Sequence, residues 1–194
     1  MDIKNLKNIK HYILSKAWAT LYRIDYDYLF ENGSWKQLSR ETYDRGNGTG
    51  ILLYNREKKT VILTKQFRMP AYHNDETDGM SIEVCAGAID KKESALATVI
   101  REVEEEVGYR IKKAEQVFSA YSSPGALSEK MYLFVAEYAD GMKVNDGGGV
   151  AAENEEIEVL ELPFEKAMQM MDSGEIQDFK TIMLLQYAKL NQLV

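Results

Sequence analysis

Hydrophobic and polar positions change period several times along the chain, and each change predicts an element. Between 95 and 107 the apolar residues Leu96, Val99, Ile100, Val103 and Val107 recur at three- and four-residue steps, which predicts a helix over about 94–107. Gly108 follows where a helix C-terminus favours a residue that tolerates positive φ. Short apolar runs at 51–54 and 60–64, separated by a charged turn, predict a buried hairpin. Further strands are predicted at 81–86, 116–121, 131–138 and 157–162, with Ser123-Pro124-Gly125 turning the chain between the second and third. Helical patterns cover 163–171 and about 180–190. The tyrosine-rich stretch before residue 45 reads as two strands, 19–30 and 35–43, around Glu31-Asn32-Gly33-Ser34, because Asn-Gly suits the positive φ of a tight hairpin turn.

Strands and helices mix without regular alternation, so the pattern predicts an α+β fold with a mixed sheet packed by helices. The segment Asp44-Arg45-Gly46-Asn47-Gly48-Thr49-Gly50 interrupts the strand pattern. It divides the chain into an N-terminal β extension, 1–45, and a main domain, 46–194. A two-stranded hairpin is marginal alone in water, so the extension needs a surface to lie on, and a second subunit would supply one.

Composition narrows the setting. At 45% apolar and 28% charged residues, the chain can bury a core. A net charge of -7 argues against a broad nucleic-acid-binding surface. One cysteine, Cys85, allows no intrachain disulfide, the first residues lack the apolar core of a signal peptide, and no apolar run is long enough for a membrane span. A cytoplasmic protein without membrane or nucleic-acid partners is the expectation.

The helix at 94–107 ends in REVEEEVG, residues 101–108. Glu102, Glu105 and Glu106 fall on one face at three- and four-residue steps, where like charges cost an isolated helix roughly 0.2–0.5 kcal/mol per pair and also oppose the helix dipole. Arg101 can pair with Glu105, but the surplus calls for another cation. Mg²⁺ joins carboxylates to substrate phosphates, so the face is a candidate metal platform. Acidic faces alone are common on surface helices; the surrounding spacing separates this one from them. Gly87, Glu93, Arg101-Glu102-Val103, Glu105-Glu106 and Gly108-Tyr109 stand in the register of the Nudix box, and the chain resembles the Nudix hydrolases. Only Tyr109 departs, standing where an aliphatic residue is usual. Glu83, Gln66-Phe67-Arg68, Ser123-Pro124-Gly125 and the late acidic loop extend the likeness to the ADP-ribose and nucleoside-diphosphate-sugar pyrophosphatase branch. Tyr43 to Gly48, Gly147-Gly148-Gly149-Val150, 157–164 and Gly174-Glu175-Ile176 are most similar to its GDP-mannose-cleaving members.

That resemblance implies an α/β/α sandwich with a mixed sheet and an N-terminal antiparallel extension, and cleavage of GDP-mannose to GMP and mannose 1-phosphate with Mg²⁺ or Mn²⁺. ADP-ribose, giving AMP and ribose 5-phosphate, is the alternative substrate, and a non-hydrolysing nucleotide-sugar sensor the alternative class. The implied metal ligands are Glu102, Glu106, the Ala86 carbonyl and Glu155. Glu153, Glu155 and Glu105 are the candidate proton acceptors. Gly87, Glu93, Arg101 and Gly108 are implied to be structural, with Arg101 orienting the glutamates. Substrate contacts carried over are Arg40 and Arg68 for phosphate, Trp18 against the base, and Glu41, Ala86, Gly87, Glu129 and Lys180 lining the ligand. The branch is dimeric, which implies a homodimer in which Trp18, Arg40 and Glu41 complete the partner's site. His11 and His73 are too scattered for a zinc site, and Cys85 reads as a buried inert thiol.

Overall fold

A computed structural model describes residues 4–75, 78–90, 92–150 and 155–194. The chain forms two compact units, one of residues 1–47 and 120–130, the other of 48–119 and 131–194.

The first unit is an antiparallel sheet of β1 (Leu6–Lys16), β2 (Thr20–Leu29) and β3 (Trp35–Asp44), in that order. The expected hairpin is β2–β3, in register from Thr20↔Asp44 to Leu29↔Trp35 around Gly33, whose φ is 77°. Strand β1 is an addition to the two predicted strands. Its residues are exposed on both sides and alternate poorly, so pairing with β2, rather than a buried face, makes it a strand. Residues 120–130 join through Tyr43, whose N–H donates to the Ala126 carbonyl at 2.9 Å and whose carbonyl accepts from Ser128.

The second unit is built on a mixed sheet. β4 (Gly48–Asn55), β5 (Thr60–Phe67), β8 (Glu115–Tyr121), β9 (Lys130–Glu137) and β10 (Glu158–Pro163) run in the order β10-β5-β4-β9-β8, with β4 and β9 parallel. The stretch read as one strand at 81–86 is two: β6 (Met80–Glu83) pairs with β5 and β7 (Cys85–Ala88) with β4. A short helix, α1 (Met69–Asp75), absent from the periodic reading, precedes β6.

Alternation along β4 divides the core. Leu52 faces Ala167, Met168, Leu184 and Leu185 of α3 (Phe164–Ser173) and α4 (Phe179–Leu190). Ile51 and Leu53 face Val99 and Val103 of α2 (Ala95–Glu106). The sheet therefore lies between α2 on one face and α3 and α4 on the other, the α/β/α sandwich anticipated. Burying each of Val99 and Val103 contributes about 1.5–3 kcal/mol, which fixes the face that α2 turns inward. Leu96, expected on that face, is instead exposed. The inward stripe is Val99, Val103 and Glu106, so one carboxylate is carried into the core side.

Candidate active site

Strand β7 and helix α2 form the site together. Ser94 caps α2, accepting from the Ala97 N–H at 3.2 Å. A Cβ on Gly87 would come within 2.1 Å of Glu102 Oε1, so only glycine lets Glu102 lie this close to β7. One residue earlier, the Ala86 N–H donates to Glu106 Oε2 at 3.1 Å.

Glu106 is 2% exposed. Burial pushes its carboxyl up to about 8; the Cys85 thiol and Ala86 N–H oppose the shift, and the charges of Glu102 and Glu155 add to it. Glu102 is also raised, by burial first, with Arg101 opposing and Glu105 and Glu155 reinforcing. Cys85 is buried and its thiol is raised well above its ordinary value, by burial and the neighbouring glutamates, in keeping with an inert role.

Arg101 braces the cluster. Its Nη2 lies 2.9 Å from Glu102 Oε1 and 3.5 Å from Glu93 Oε2, and its Nη1 donates to Glu105 at 2.5 Å. Glu93 also accepts from the Thr98 hydroxyl at 3.0 Å, which ties the loop before α2 to the helix. Glu104 lies outside the cluster and pairs with Arg110, whose guanidinium forks onto its two oxygens at 2.6 and 2.8 Å.

The acidic last turn is stabilised by a device the sequence reading missed. The carbonyls of Glu106 and Glu105 accept from the N–H groups of Gly148 and Gly149 at 2.9 and 3.2 Å, and the Glu104 carbonyl from Asn145 Nδ2 at 3.2 Å. The same segment leads to Glu155, whose Oε2 accepts the Val150 N–H at 3.1 Å and whose charge acts on both Glu102 and Glu106. Glu153 lies outside the described residues.

Arg68 and Lys180 belong to a row of alternating charges. The fork of Arg68, expected to meet phosphate, rests on Glu83 through two 2.9 Å bonds. Lys180 lies 3.6 Å from Glu83 and 2.6 Å from Asp178. Burial would raise Glu83, but its bonds to Arg68 and the Lys180 charge hold it down at about 2. Asp178, absent from the expected site residues, is the N-cap of α4, and an aspartate just ahead of an apolar helical run is a helix-start signal. Its Oδ2 accepts from the Thr181 N–H and hydroxyl, and the Thr181 hydroxyl accepts from the Val84 N–H at 2.7 Å.

The remaining expected contacts lie in the first unit. Trp18 is 77% exposed, with the Arg45 guanidinium 5.1 Å from its ring centre. Arg40 and Glu41 are exposed, and Arg40 Nη1 donates to the Ser39 carbonyl. Glu129 is buried, 3.1 Å from Arg45, and accepts from the Ser122 hydroxyl at 2.9 Å.

Among the described residues, no three acidic, histidine or cysteine side chains converge on one metal position. The donor chemistry nevertheless suits a hard divalent cation: Glu102, Glu106 and the Ala86 carbonyl offer only oxygen. Among the described residues no salt bridge reaches Glu106, so a cation would offset the burial that raises it.

Residues 44–185 match the NUDIX domain family, and residues 5–43 match the GDP-mannose pyrophosphatase NudK N-terminal domain. The chain is 47% identical over 190 residues to a GDP-mannose pyrophosphatase of Cronobacter sakazakii (strain ATCC BAA-894), covering 98% of each. It is 48% identical over 191 residues to one of Yersinia pestis (strain Pestoides F), covering 98% of this chain and 94% of that one. A crystal structure of an ADP compounds hydrolase has the same fold, with a TM-score of 0.70 at 20% identity over 97% of this chain and 96% of that one.

Proposed function

The chain belongs to the NUDIX domain family, and from that premise we propose that it hydrolyses the pyrophosphate of GDP-mannose, releasing GMP and mannose 1-phosphate. The observation that carries this reading is the pairing of Glu102 and Glu106 against Ala86 and Gly87, with Arg101 bracing the outer side. Full-length relatives named GDP-mannose pyrophosphatase support the substrate.

Nudix hydrolases need a divalent metal, and here Mg²⁺, with Mn²⁺ able to replace it, is the proposed ion. Glu102, Glu106, Glu155 and the Ala86 carbonyl would hold it. Bound there, it would neutralise phosphate oxygens and make the attacking water more acidic. Arg101 keeps Glu102 and Glu105 oriented, and the Ala86 N–H fixes one oxygen of Glu106. The proton from water is assigned to the acidic group Glu153, Glu155 and Glu105. Arg68 and Lys180 are proposed to meet the substrate phosphates, exchanging part of their contact with Glu83 and Asp178 for phosphate oxygen.

A homodimer belongs to the same proposal, with Trp18, Arg40, Glu41 and Glu129 among the substrate contacts. The apolar residues that the first sheet leaves exposed, Ile9, Ile13, Leu14 and Trp35, support it. Among the described residues no helix is long and apolar enough to cross a membrane, and a cytoplasmic location is proposed.

The test is a panel of GDP-mannose, ADP-ribose and other nucleotide sugars with Mg²⁺ and product identification, alongside light scattering at micromolar concentration. GDP-mannose is expected to have the highest kcat/KM, and the mass to be that of a dimer. Preference for ADP-ribose would overturn the substrate, absence of turnover on any of them the enzymatic reading, and a fully active monomer the assembly.

A further inference from the structure

A cavity of about 330 Å³ opens within the second unit beside the charged row, with Arg68, Glu83 and Asp178 in its wall. Arg68 and Glu83 link its wall to the glutamate site. Glu83 is three residues before Ala86, and the Arg68 guanidinium lies within electrostatic reach of both Glu106 and Asp178. A substrate whose phosphates lay between Arg68 and the glutamates would therefore direct one of its two ends into this cavity.

The lining indicates which end. Among the described residues no aromatic ring lines the cavity, so they offer no stacking surface of the kind a base uses. Glu175 and Gln177 contribute a carboxylate and an amide, groups that accept from and donate to hydroxyls, while Pro70 and Met80 add apolar surface. Among the described residues, the side chains of Glu175 and Gln177 have no hydrogen-bond partner. Their backbone is nonetheless firmly placed. Between them Ile176 is 1% exposed, and the N–H groups of Glu175 and Ile176 both donate to the Met170 carbonyl at 2.9 and 3.0 Å. The buried isoleucine anchors the link between α3 and α4, so two unpartnered polar side chains are held at the cavity without being used by the fold.

We propose that this cavity seats the glycosyl half of the nucleoside-diphosphate sugar, with Glu175 and Gln177 reading its hydroxyls and Arg68 and Lys180 at its phosphate end. The inference rests on the pyrophosphohydrolase reading and adds to it the subsite that sets sugar preference.

The experiment compares the full-length protein with its Glu175→Ala and Gln177→Ala variants, with Mg²⁺, on GDP-mannose, GDP-glucose and ADP-mannose. The first two substrates share the nucleoside and the first and third share the sugar. At least one variant is expected to change the GDP-mannose to GDP-glucose ratio of kcat/KM by about threefold to tenfold, the effect of about one hydrogen bond. The GDP-mannose to ADP-mannose ratio should stay constant, and so should the melting temperature, because both side chains are exposed. Constant ratios in both variants would overturn the proposal, and so would a change confined to the base ratio, which would put the nucleoside in the cavity. If the protein cleaves ADP-ribose and not GDP-mannose, the substrate assignment fails separately. The ADP-ribose to ADP-glucose ratio in the same variants then decides the cavity.

Discussion

Glu106 and Ala86 are joined by a 3.1 Å hydrogen bond from the backbone of β7 to a carboxylate that is almost wholly buried. The bond aims the side chain, while burial keeps its carboxyl raised to about 8. A group whose folded pKa lies above its unfolded value holds the extra proton in the folded state. For an acid this makes metal-free stability fall as pH rises from about 4.5 towards 8, by on the order of a few kcal/mol. Glu106→Gln should flatten that slope in metal-free denaturation curves, and should not show the rise in stability that the proposed Mg²⁺ site is expected to give the unsubstituted protein on adding the ion. A variant with the native slope would place the titration elsewhere.

Turnover should fall by orders of magnitude in Glu102→Gln and in Glu106→Gln, each of which replaces a carboxyl group proposed to bind the metal by a neutral amide of nearly the same shape. Steady-state kinetics with saturating Mg²⁺ checks this, and near-native rates in either would remove that residue from the proposed metal site.

Gly87→Ala separates folding from function. The new methyl would meet Glu102 Oε1, Cδ and Cγ at 2.1, 2.2 and 2.6 Å, and these atoms belong to a side chain that can swing away. The protein is expected to fold with a melting temperature close to native and to lose about a hundredfold or more in kcat/KM, because displacing Glu102 would spoil the geometry of the proposed metal site. An active Gly87→Ala protein would show that Glu102 need not approach β7.

Gly108→Ala should act oppositely. Gly108 has φ 77°, and an added Cβ would stand 2.2 Å from the Asn145 carbonyl oxygen, a backbone atom that cannot step aside. The expected loss is about 1–3 kcal/mol or more, read from urea unfolding.

The Glu83–Arg68 pair sets an acid limit. Glu83 is held at about 2 against an ordinary 4.5, so its stabilisation is present above pH 4.5 and is lost as pH falls from there through 2. Glu83→Gln should cost about 1.5–3 kcal/mol at pH 7 and give a flatter profile between pH 4.5 and 2. Unchanged acid sensitivity would point to another carboxylate.

Local order was legible wherever a residue's neighbours in sequence are also its neighbours in space. The helical period places α2 to within a residue at each end, and the register of Gly87, Glu93, Arg101 and Gly108 marks the glutamate cluster from spacing alone. Arg101 reaching Glu105 is a one-turn contact, which sequence spacing predicts directly. Strand β1 was not legible, because its pattern carries no buried face and only its pairing with β2 defines it.

What the sequence determined by itself was therefore the chemistry: which carboxylates share a helical face, which glycines flank them, and which family has that spacing. Only the tertiary structure decided which of those carboxylates is buried, since Glu102, Glu105 and Glu106 are alike in one dimension and differ only by what packs against them. Only it brought residues 145–149 onto the last turn of α2, and Lys180, with its sequence neighbour Asp178, beside Glu83 from far along the chain. Such contacts depend on how the sheet brings distant segments together, and that geometry is not written in the spacing of neighbouring residues.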